Sequence, residues 1–516
     1  MVTGHLLLWH HSVRVAALLS AGRWLLPVLL LTDVLMVNQT SLPALIQGGM
    51  GVGVSNWRLA HAVASRGHLG VVSGTVIDTL MVRRLQDGDF GGHMRRAMAR
   101  FPIPEVSEEV LRRFLIAGGI ASSTPYKLLT MWRQRARAFR EQVAMLAAFV
   151  EVSLAKEGHD GPVGINLLTK VQMPNLATLY GAMLAGVDVV LMGAGIPKEI
   201  PGVLDLLAQH QPAAMRFDVE GLPSGRIEML SFDPAKHWTP STPLARPQFL
   251  AIVSANSLAA TLARKSSGRV DGFVVEGPTA GGHNAPPRGE LRLNERAEPV
   301  YGERDIVDLG KMREIGTPFW LAGGTGSPDA LRRALDAGAA GVQVGTLFAF
   351  CDESGIEPAL KRRILSALNR GEVEVLTDAF ASPTEYPFKV LHMKGDPDDA
   401  RRAQRTRICD LGYLRTPFVT EDGSIDYRCA AEPVEQFVSK GGNAEQTQQR
   451  RCLCNGLLAN IGHGQWRGDE GREPPLVTCG ADLADLCELL AGRESYTADD
   501  AIDWILGSVP AAGAIT

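Results

Sequence analysis

Short apolar runs alternate with helix-forming segments along most of the first 350 residues, and this alternation constrains the fold more than any other feature. Each run has the length of a buried strand, and several end in glycine-rich loops. The runs lie at residues 42–46, 70–74, 163–168, 187–192, 213–217, 249–254, 272–275, 318–322 and 341–348. About eight strands, each followed by a helix, predict an α/β fold, the (β/α)8 TIM barrel. A doubly wound parallel sheet is the alternative.

The composition indicates an ordinary globular protein. Its 516 residues, 45% of them hydrophobic, suffice for one large core and an appended unit. The formal net charge is -4 and Lys and Arg are scattered, which argues against nucleic acid or an anionic membrane as partner. Seven cysteines do not form an obvious disulfide framework, so we expect a cytoplasmic protein.

Three parts are predicted along the chain. Residues 1–36 form an extension outside the fold, because the apolar segment 25–31 is too short to span a bilayer and Met36 directly precedes the first strand. Residues 37–351 form the barrel, and residues 352–516 form a mostly helical C-terminal region. A helical insertion after the second strand covers about residues 78–160.

The predicted insertion is unusually long. Typical connections from strand to helix in such folds have about 2 to 6 residues. An insertion at the ligand face can shape substrate access, whereas the alternative is a structural excursion or a contact in a homo-oligomer. The sequence leaves both interpretations open.

One stretch, residues 276–284 with the sequence EGPTAGGHN, follows a predicted buried strand. Small residues let the backbone come close to a flat ligand, and His283 places one titratable ring beside them. The alternative is that Gly281 and Gly282 only form a turn and that His283 lies on the surface. Three other glycine-rich strand ends favour the ligand site.

Two of these ends predict an anion site. Residues 323–326, GGTG, precede a helix, and Gly345 and Thr346 follow the last strand. Backbone N–H groups and a helix N-terminus bind phosphate, which commonly sits at the last two strands of a TIM barrel. The first glycine-rich loop, residues 47–55, matches neither a dinucleotide fingerprint nor a P-loop.

Four cysteines in the C-terminal region, at positions 409, 429, 452 and 454, raise the question of a metal site. A C-x-C pair with two distant partners is a weak metal signal, because no C-x-x-C spacing is present. We therefore expect free buried thiols and no metal.

Five motifs together resemble the nitronate monooxygenase family, which includes flavin-type enoyl reductases. They are QGGM at residues 47–50, GINL at 164–167, AGGH at 280–283, AGG at 322–324 and GTLF at 345–348. The resemblance covers roughly residues 42–350 and implies a barrel that binds FMN. The long insertion and tail look more like the branch associated with polyunsaturated fatty acid and polyketide synthesis.

The resemblance also assigns site residues. It implies that His283 is the catalytic or substrate-orienting imidazole. The implied cofactor-binding residues are Gly48, Gly49, Met50, Asn166, Ser254, Glu276, Gly281, Gly282, Gly323, Gly324, Gly345 and Thr346. Ser254 departs from the basic or amide residue that the family often carries there, and Glu276 stands where the family often has Asp.

The implied activity is oxidation of alkyl nitronates by FMN and O₂, giving a carbonyl compound and nitrite. The partners would be a small-molecule substrate and O₂. One alternative is an NAD(P)H-dependent enoyl-thioester reductase, and another is a flavin-binding scaffold subunit. The physiological substrate cannot be named from these motifs.

Overall fold

The computed structural model describes residues 42–508, so the predicted extension 1–36 lies outside the described residues. The strands are β1 Leu45–Gln47, β2 Gly70–Ser73, β3 Val163–Leu168, β4 Val189–Gly193, β5 Ala213–Phe217, β6 Glu228–Phe232, β7 Gln248–Val253, β8 Gly272–Glu276, β9 Phe319–Ala322, β10 Gly341–Val344, β11 Val373–Asp378, β12 Phe388–Met393, β13 Thr416–Val419 and β14 Ile425–Arg428.

The helices complete the alternation. They are α1 Trp57–Ser65, α2 Ile77–Gln86, α3 His93–Met98, α4 Pro104–Phe114, α5 Ala138–Ala155, α6 Asn175–Leu184, α7 Ile200–Ala208, α8 Asn256–Lys265, α9 Leu309–Glu314, α10 Pro328–Asp336, α11 Thr346–Ala349, α12 Pro358–Asn369, α13 Asp398–Gln404, α14 Val434–Ser439, α15 Leu453–Asn460, α16 Ala484–Leu490 and α17 Ala498–Ile505. Local sequence sets several starts: the Asn56 side chain caps α1, and Ser327 caps α10 ahead of Pro328.

Eight parallel strands form the barrel, which confirms the predicted TIM barrel fold. The order around it is β1-β10-β9-β8-β7-β4-β3-β2. Closure is made between β1 and β2 by a single parallel bridge, Ile46 to Leu69, with the Gln47 N–H donating to the Leu69 carbonyl at 3.0 Å. These strands are almost fully buried, as parallel strands covered on both faces must be.

One predicted barrel strand is wrong. Residues 213–217 form β5, which pairs antiparallel with β6 in a separate hairpin. Buried and exposed residues alternate along β5, with Arg216 on the exposed side, whereas a barrel strand must be apolar on both faces. In the barrel, β4 therefore pairs directly with β7.

The extra helices after β2 occupy a shorter segment than predicted. Helix α5 is buried along most of its length and packs against α1, α6 and strands β2 and β3, so it is the helix that covers the barrel between β2 and β3. The helices inserted ahead of it are α2, α3 and α4. No helix within residues 42–508 has the combined length and apolarity needed to cross a bilayer.

The region after residue 351 contains two antiparallel hairpins, β11–β12 and β13–β14, in addition to its helices. The sequence predicts a mostly helical region there, without these hairpins. This region packs on the carboxyl ends of the barrel strands: the Tyr496 hydroxyl donates to the Leu347 carbonyl, and the Trp504 indole N–H donates to the Gly326 carbonyl at 3.1 Å. It therefore covers the end of the barrel where ligands bind in this fold.

Candidate functional site

A cavity of about 290 Å³ lies at the carboxyl ends of the barrel strands, a size within the usual range of small-molecule sites. Its walls come from the barrel loops on one side and from residues of the C-terminal region on the other. Every residue singled out from the sequence lines it: Gly48, Gly49, Met50, Asn166, Ser254, Glu276, Gly281, Gly282, His283, Gly323, Gly324, Gly345 and Thr346. The fold thus brings together residues separated by up to three hundred positions.

The first loop is held in place by two side chains that the sequence analysis did not single out. Gln47 is fully buried, and its Oε1 accepts the Val71 N–H at 2.9 Å. The Ser55 hydroxyl donates to the Gly48 carbonyl at 2.8 Å and accepts the Met50 N–H at 2.9 Å. These bonds fix the backbone of residues 48–50 at the cavity wall.

Asn166 and Gly49 form a close pair. A Cβ at Gly49 would lie 2.3 Å from the Asn166 Cβ, so only glycine fits there. The Asn166 Nδ2 donates to the Gly49 carbonyl at 2.7 Å, which leaves its Oδ1 buried with no partner among the described residues. Gln343, also on the wall, has a similarly unpartnered Oε1. Both acceptors can take a hydrogen bond from a ligand.

His283 lies between the barrel and the C-terminal region. Its Nε2 is 2.7 Å from the Ser382 hydroxyl, and its ring packs edge-on against Phe388 at 4.9 Å between centroids. Burial, helped by the nearby charge of Lys170, lowers the pKa of His283 to about 3. The imidazole is therefore neutral at physiological pH, with one nitrogen held by a serine.

Lys170 is a cation that the sequence analysis missed. It follows β3 by two residues, at the same end of the barrel as Asn166, and its ammonium lies over the ring of Tyr386. The Nζ is buried without a hydrogen-bond partner among the described residues, and burial lowers the pKa of Lys170 to about 6. An anion beside it would restore the charge. The signal in the sequence was its position just beyond a strand end.

Glu276 ends β8 and lines the cavity. Burial raises the pKa of Glu276 to about 7, while the ammonium of Lys389 opposes that rise. Lys389 is itself almost fully buried and donates to the Thr377 hydroxyl. The Glu276 carboxyl can therefore either donate or accept a hydrogen bond near neutral pH.

Gly281 and Gly282 have different surroundings, although the same close approach to a ligand is predicted for both. A Cβ at Gly281 would lie 2.7 Å from the carbonyl carbon of Cys479, so this glycine makes room for the C-terminal region. Gly282 has φ +78° with open space beside it, and its N–H donates to the Thr478 hydroxyl at 2.9 Å. Of these two glycines, only Gly282 has the open space that a closely approaching ligand needs.

The predicted anion site is more acidic than expected. The Asp485 carboxylate lies beside Gly326, where an added Cβ would be 3.1 Å from its Oδ2, so it stands next to the N-terminus of α10. Burial and the neighbouring Asp482 raise the pKa of Asp485. The Thr346 hydroxyl accepts the Gly480 N–H at 3.0 Å. Only the backbone around Gly323, Gly324 and Gly345 then remains for a phosphate.

The cavity offers more contacts for a flavin ring than for its phosphate. The unpartnered acceptors on Asn166 and Gln343 could accept the imide N–H of such a ring, and small residues such as Gly48 and Gly49 line the same cavity. The positive φ values of Gly323 and Gly324, +95° and +65°, suit a concave backbone that binds anions. Ser254 reaches the wall, although its carbonyl accepts a bond from Arg288 at 3.2 Å.

No group of three or more potential metal ligands within residues 42–508 has an arrangement that would hold a metal ion. The candidate site is built from backbone, amide, imidazole and carboxyl groups around one cavity.

Comparisons with known proteins find similarity over part of the chain. Residues 214–382 match the family profile described as nitronate monooxygenase. A nitronate monooxygenase of Pseudomonas aeruginosa is 29% identical over 170 residues, which cover 32% of this chain and 41% of that protein. A probable nitronate monooxygenase of Bacillus subtilis is 32% identical over 108 residues, covering 21% and 29%. The chain thus spans less than half the length of these curated relatives.

Solved structures resemble the chain more loosely. The structure of FabK from Thermotoga maritima is 16% identical, with 90% of this chain and 92% of that chain covered and a TM-score of 0.40. The assignment of a barrel fold rests on the pairing of its eight parallel strands. The matched segment contains β7 to β10, His283 and both glycine-rich ends. Over this segment the chain is similar to the nitronate monooxygenase family.

Proposed function

We propose that this protein is an FMN-dependent oxidoreductase that converts alkyl nitronates and O₂ into a carbonyl compound and nitrite. The observation that carries the proposal is the cavity at the barrel mouth, which is lined by a neutral imidazole, that of His283, and by two buried acceptors that suit a flavin ring. The family match over the segment that holds His283 supports the same chemistry.

The residues that would hold FMN divide into two sets. Backbone at residues 48–50, together with Asn166 and Gln343, would bind the ring, and backbone at residues 323–324 and 345 would bind the phosphate. When bound, FMN would supply the electron transfer between the nitronate and O₂. The protein itself binds and orients the substrate and limits water at the reacting carbon.

His283 acts in this proposal as a hydrogen-bond donor. A pKa of about 3 makes its imidazole a weak base, whereas a group that removes a proton works best with a pKa near the working pH. A nitronate is already deprotonated and needs only an N–H group aimed at its oxygens. The site therefore supports a preformed nitronate as substrate in preference to a neutral nitroalkane.

Lys170 completes the recognition of an anion. Its Nζ has no hydrogen-bond partner among the described residues, and its charge, when it is protonated, lowers the pKa of His283. A bound nitronate would raise the pKa of Lys170 and pair with it, since an opposite charge favours the ionised form. Tyr386, which lies under the ammonium and lines the cavity, would keep that charge at the substrate.

The test is a turnover assay on flavin-loaded protein. We expect oxygen uptake and nitrite release with propionate 3-nitronate in the absence of NAD(P)H, and slower turnover with the neutral nitro compound. Flavin-loaded protein that consumes NADPH only when an enoyl thioester is added, without oxygen uptake on nitronate, would replace this proposal with the reductase. A protein that binds no flavin would favour a scaffold.

A further inference from the structure

Four cysteines of the C-terminal region, far apart in the sequence, meet around one small cavity. Cys409 lies between α13 and β13, Cys429 follows β14, and Cys452 and Cys454 lie at the start of α15. All four line a cavity of about 10 Å³. That volume is at the lower limit for one water molecule, so no organic ligand fits among the thiols.

Two of the four thiols influence each other. Cys409 and Cys429 line the same cavity, and the interaction between their thiols lowers the pKa of Cys409 and raises the pKa of Cys429. The guanidinium of Arg415 lowers the pKa of Cys409 further. Cys409 is partly exposed and Cys429 is buried. A partly exposed sulfur near a cation is the environment in which thiolates react.

We propose that Cys409 and Cys429 are a redox-active pair that closes to a disulfide when the protein meets a hydroperoxide. The arrangement of the four thiols does not match a metal site, since no group of three potential ligands within the described residues is placed to coordinate an ion. Two thiols on the wall of one small cavity, one in a partly exposed residue and one in a buried residue, are instead an arrangement that can close to a disulfide.

The chemistry balances in two steps. The Cys409 thiolate attacks the terminal oxygen of the hydroperoxide, the O–O bond breaks, and the released alkoxide or hydroxide takes a proton from water while Cys409 becomes a sulfenic acid. The Cys429 sulfur then attacks the Cys409 sulfur, and the S–O bond breaks. Hydroxide leaves and combines with the Cys429 proton as water. The two cysteines lose two electrons, and the peroxide is reduced to an alcohol, or to water, plus one further water.

The pair is connected to the main cavity through shared walls. Leu414, Leu453 and Cys454 line both the cysteine cavity and the cavity at the barrel mouth. The Cys454 sulfur accepts backbone hydrogen bonds from Tyr413 and Leu414, and the Tyr413 side chain also lines the main cavity. A disulfide at Cys409, four residues before Tyr413, would therefore shift or restrain this wall.

A source of oxidant follows if the proposed function is correct. A reduced flavin and O₂ generate hydrogen peroxide, the simplest hydroperoxide, so this part of the inference rests on the proposed function. The disulfide itself does not depend on it, because hydrogen peroxide can be added to protein that holds neither flavin nor substrate.

The experiment compares the full chain before and after hydrogen peroxide. Protein reduced with dithiothreitol and desalted has seven cysteines. We expect denatured protein to titrate two fewer thiols after peroxide, with an intact mass lower by about 2 Da. Non-reducing peptide mapping should join Cys409 to Cys429, and dithiothreitol should reverse the change. Hydrogen exchange should become slower or faster in peptides that contain Tyr413 and Leu414.

Variants make the assignment specific. Cys409→Ser should abolish the disulfide, and Cys429→Ser should leave a sulfenic acid at Cys409 that dimedone traps. Cys487→Ser is the matched control, because this cysteine is exposed and lies outside the cavity that the four thiols line. Circular dichroism and thermal melting verify that each variant folds, and Cys429→Ala replaces Cys429→Ser if the latter does not.

Several results would overturn the inference. Seven thiols after peroxide treatment would contradict it, as would a disulfide that joins Cys452 to Cys454 in place of the predicted pair. Stoichiometric zinc or iron that disappears in Cys409→Ser and Cys454→Ser would reassign the four thiols as metal ligands. None of these measurements uses nitronate, so a negative turnover assay leaves the result standing.

Discussion

The two walls of the main cavity differ in the kinds of residues that form them. The barrel wall is mostly backbone and small residues, with Gly49 packed against Asn166 and the first loop held by Gln47 and Ser55. The opposite wall, from the C-terminal region, presents side chains such as Tyr386 and Phe388, and Ser382 behind it holds His283. Under the proposed function, the barrel wall would bind the cofactor and the C-terminal wall would select the substrate.

The largest effect is expected at His283, where the two walls meet. His283→Ala should lower turnover with nitronate about 100-fold or more, because a hydrogen bond made to charge in the transition state is lost. Flavin should remain bound, since the barrel backbone is unchanged. Steady-state oxygen uptake and the flavin absorption spectrum measure the two effects. His392→Ala, at a half-buried histidine of β12 outside the cavity, is the control.

Loss of flavin in His283→Ala would assign that side chain to the cofactor wall. Unchanged turnover would contradict its role in substrate binding.

The second expected effect concerns Glu276 on the barrel wall. Its pKa of about 7 in the folded protein lies above the ordinary value of 4.5, so the fold favours the neutral carboxyl. This contribution to the free energy of unfolding is complete below about pH 4.5 and is lost as pH rises through about 7. Because glutamine does not titrate, Glu276→Gln should not show this loss. Its free energy of unfolding should exceed that of wild type by ~1–3 kcal/mol between about pH 5 and about pH 8.

Urea unfolding of the flavin-free protein at several pH values measures that difference. Glu303→Gln, at an exposed carboxylate, should follow the wild-type curve. A Glu276→Gln curve parallel to wild type would contradict the raised pKa.

A smaller effect is expected on the C-terminal wall at Ser382. Ser382→Ala leaves His283 Nε2 with only a weak contact to Thr384 at 3.5 Å. The loss of one buried hydrogen bond is worth about 1 kcal/mol, so turnover should fall roughly fivefold to tenfold. The decrease should appear in kcat more than in flavin affinity. Ser439→Ala, on α14 away from the cavity, serves as control, and an unchanged kcat would indicate that His283 is positioned by Phe388 alone.

The smallest effect is expected at Asp485. Its carboxylate stands next to the N-terminus of α10 and repels a phosphate bound nearby. Asp485→Asn should raise the affinity for FMN roughly threefold to tenfold and leave the affinity for riboflavin unchanged. Calorimetric titration of both flavins measures the two affinities, with the exposed Asp469→Asn as control. Equal gains for FMN and riboflavin would show that the carboxylate does not act on the phosphate.

Much of the barrel wall could be predicted from the sequence, because its signals are local. A buried run followed by glycines marks a strand end wherever it occurs, and parallel strands bring those ends to one face of the barrel. The thirteen residues assigned from the motifs accordingly line one cavity. The prediction that residues 213–217 form a barrel strand is wrong, because an apolar run shows that a strand is present without showing which strand it pairs with.

The C-terminal wall could not be predicted, because its contacts join distant positions. His283 and Ser382 are 99 residues apart, and the Cys479 backbone that forces Gly281 to be glycine is farther still. Asp485 and Lys170 carry no motif, and each gains meaning only from the groups that surround it in the fold. The roles of the predicted cofactor residues remain predictions until flavin binding is measured.

The barrel closes through one short strand pairing, that of β1 with β2. Neighbouring strands elsewhere in it share three or more paired positions, whereas β1 and β2 meet at the single pair Ile46 and Leu69. The loop of residues 48–50 directly follows β1 at this pairing. The buried Gln47 side chain, whose Oε1 accepts the Val71 N–H at 2.9 Å, adds a bond across this short pairing. The closure of the barrel thus depends on a side chain as well as on backbone pairing.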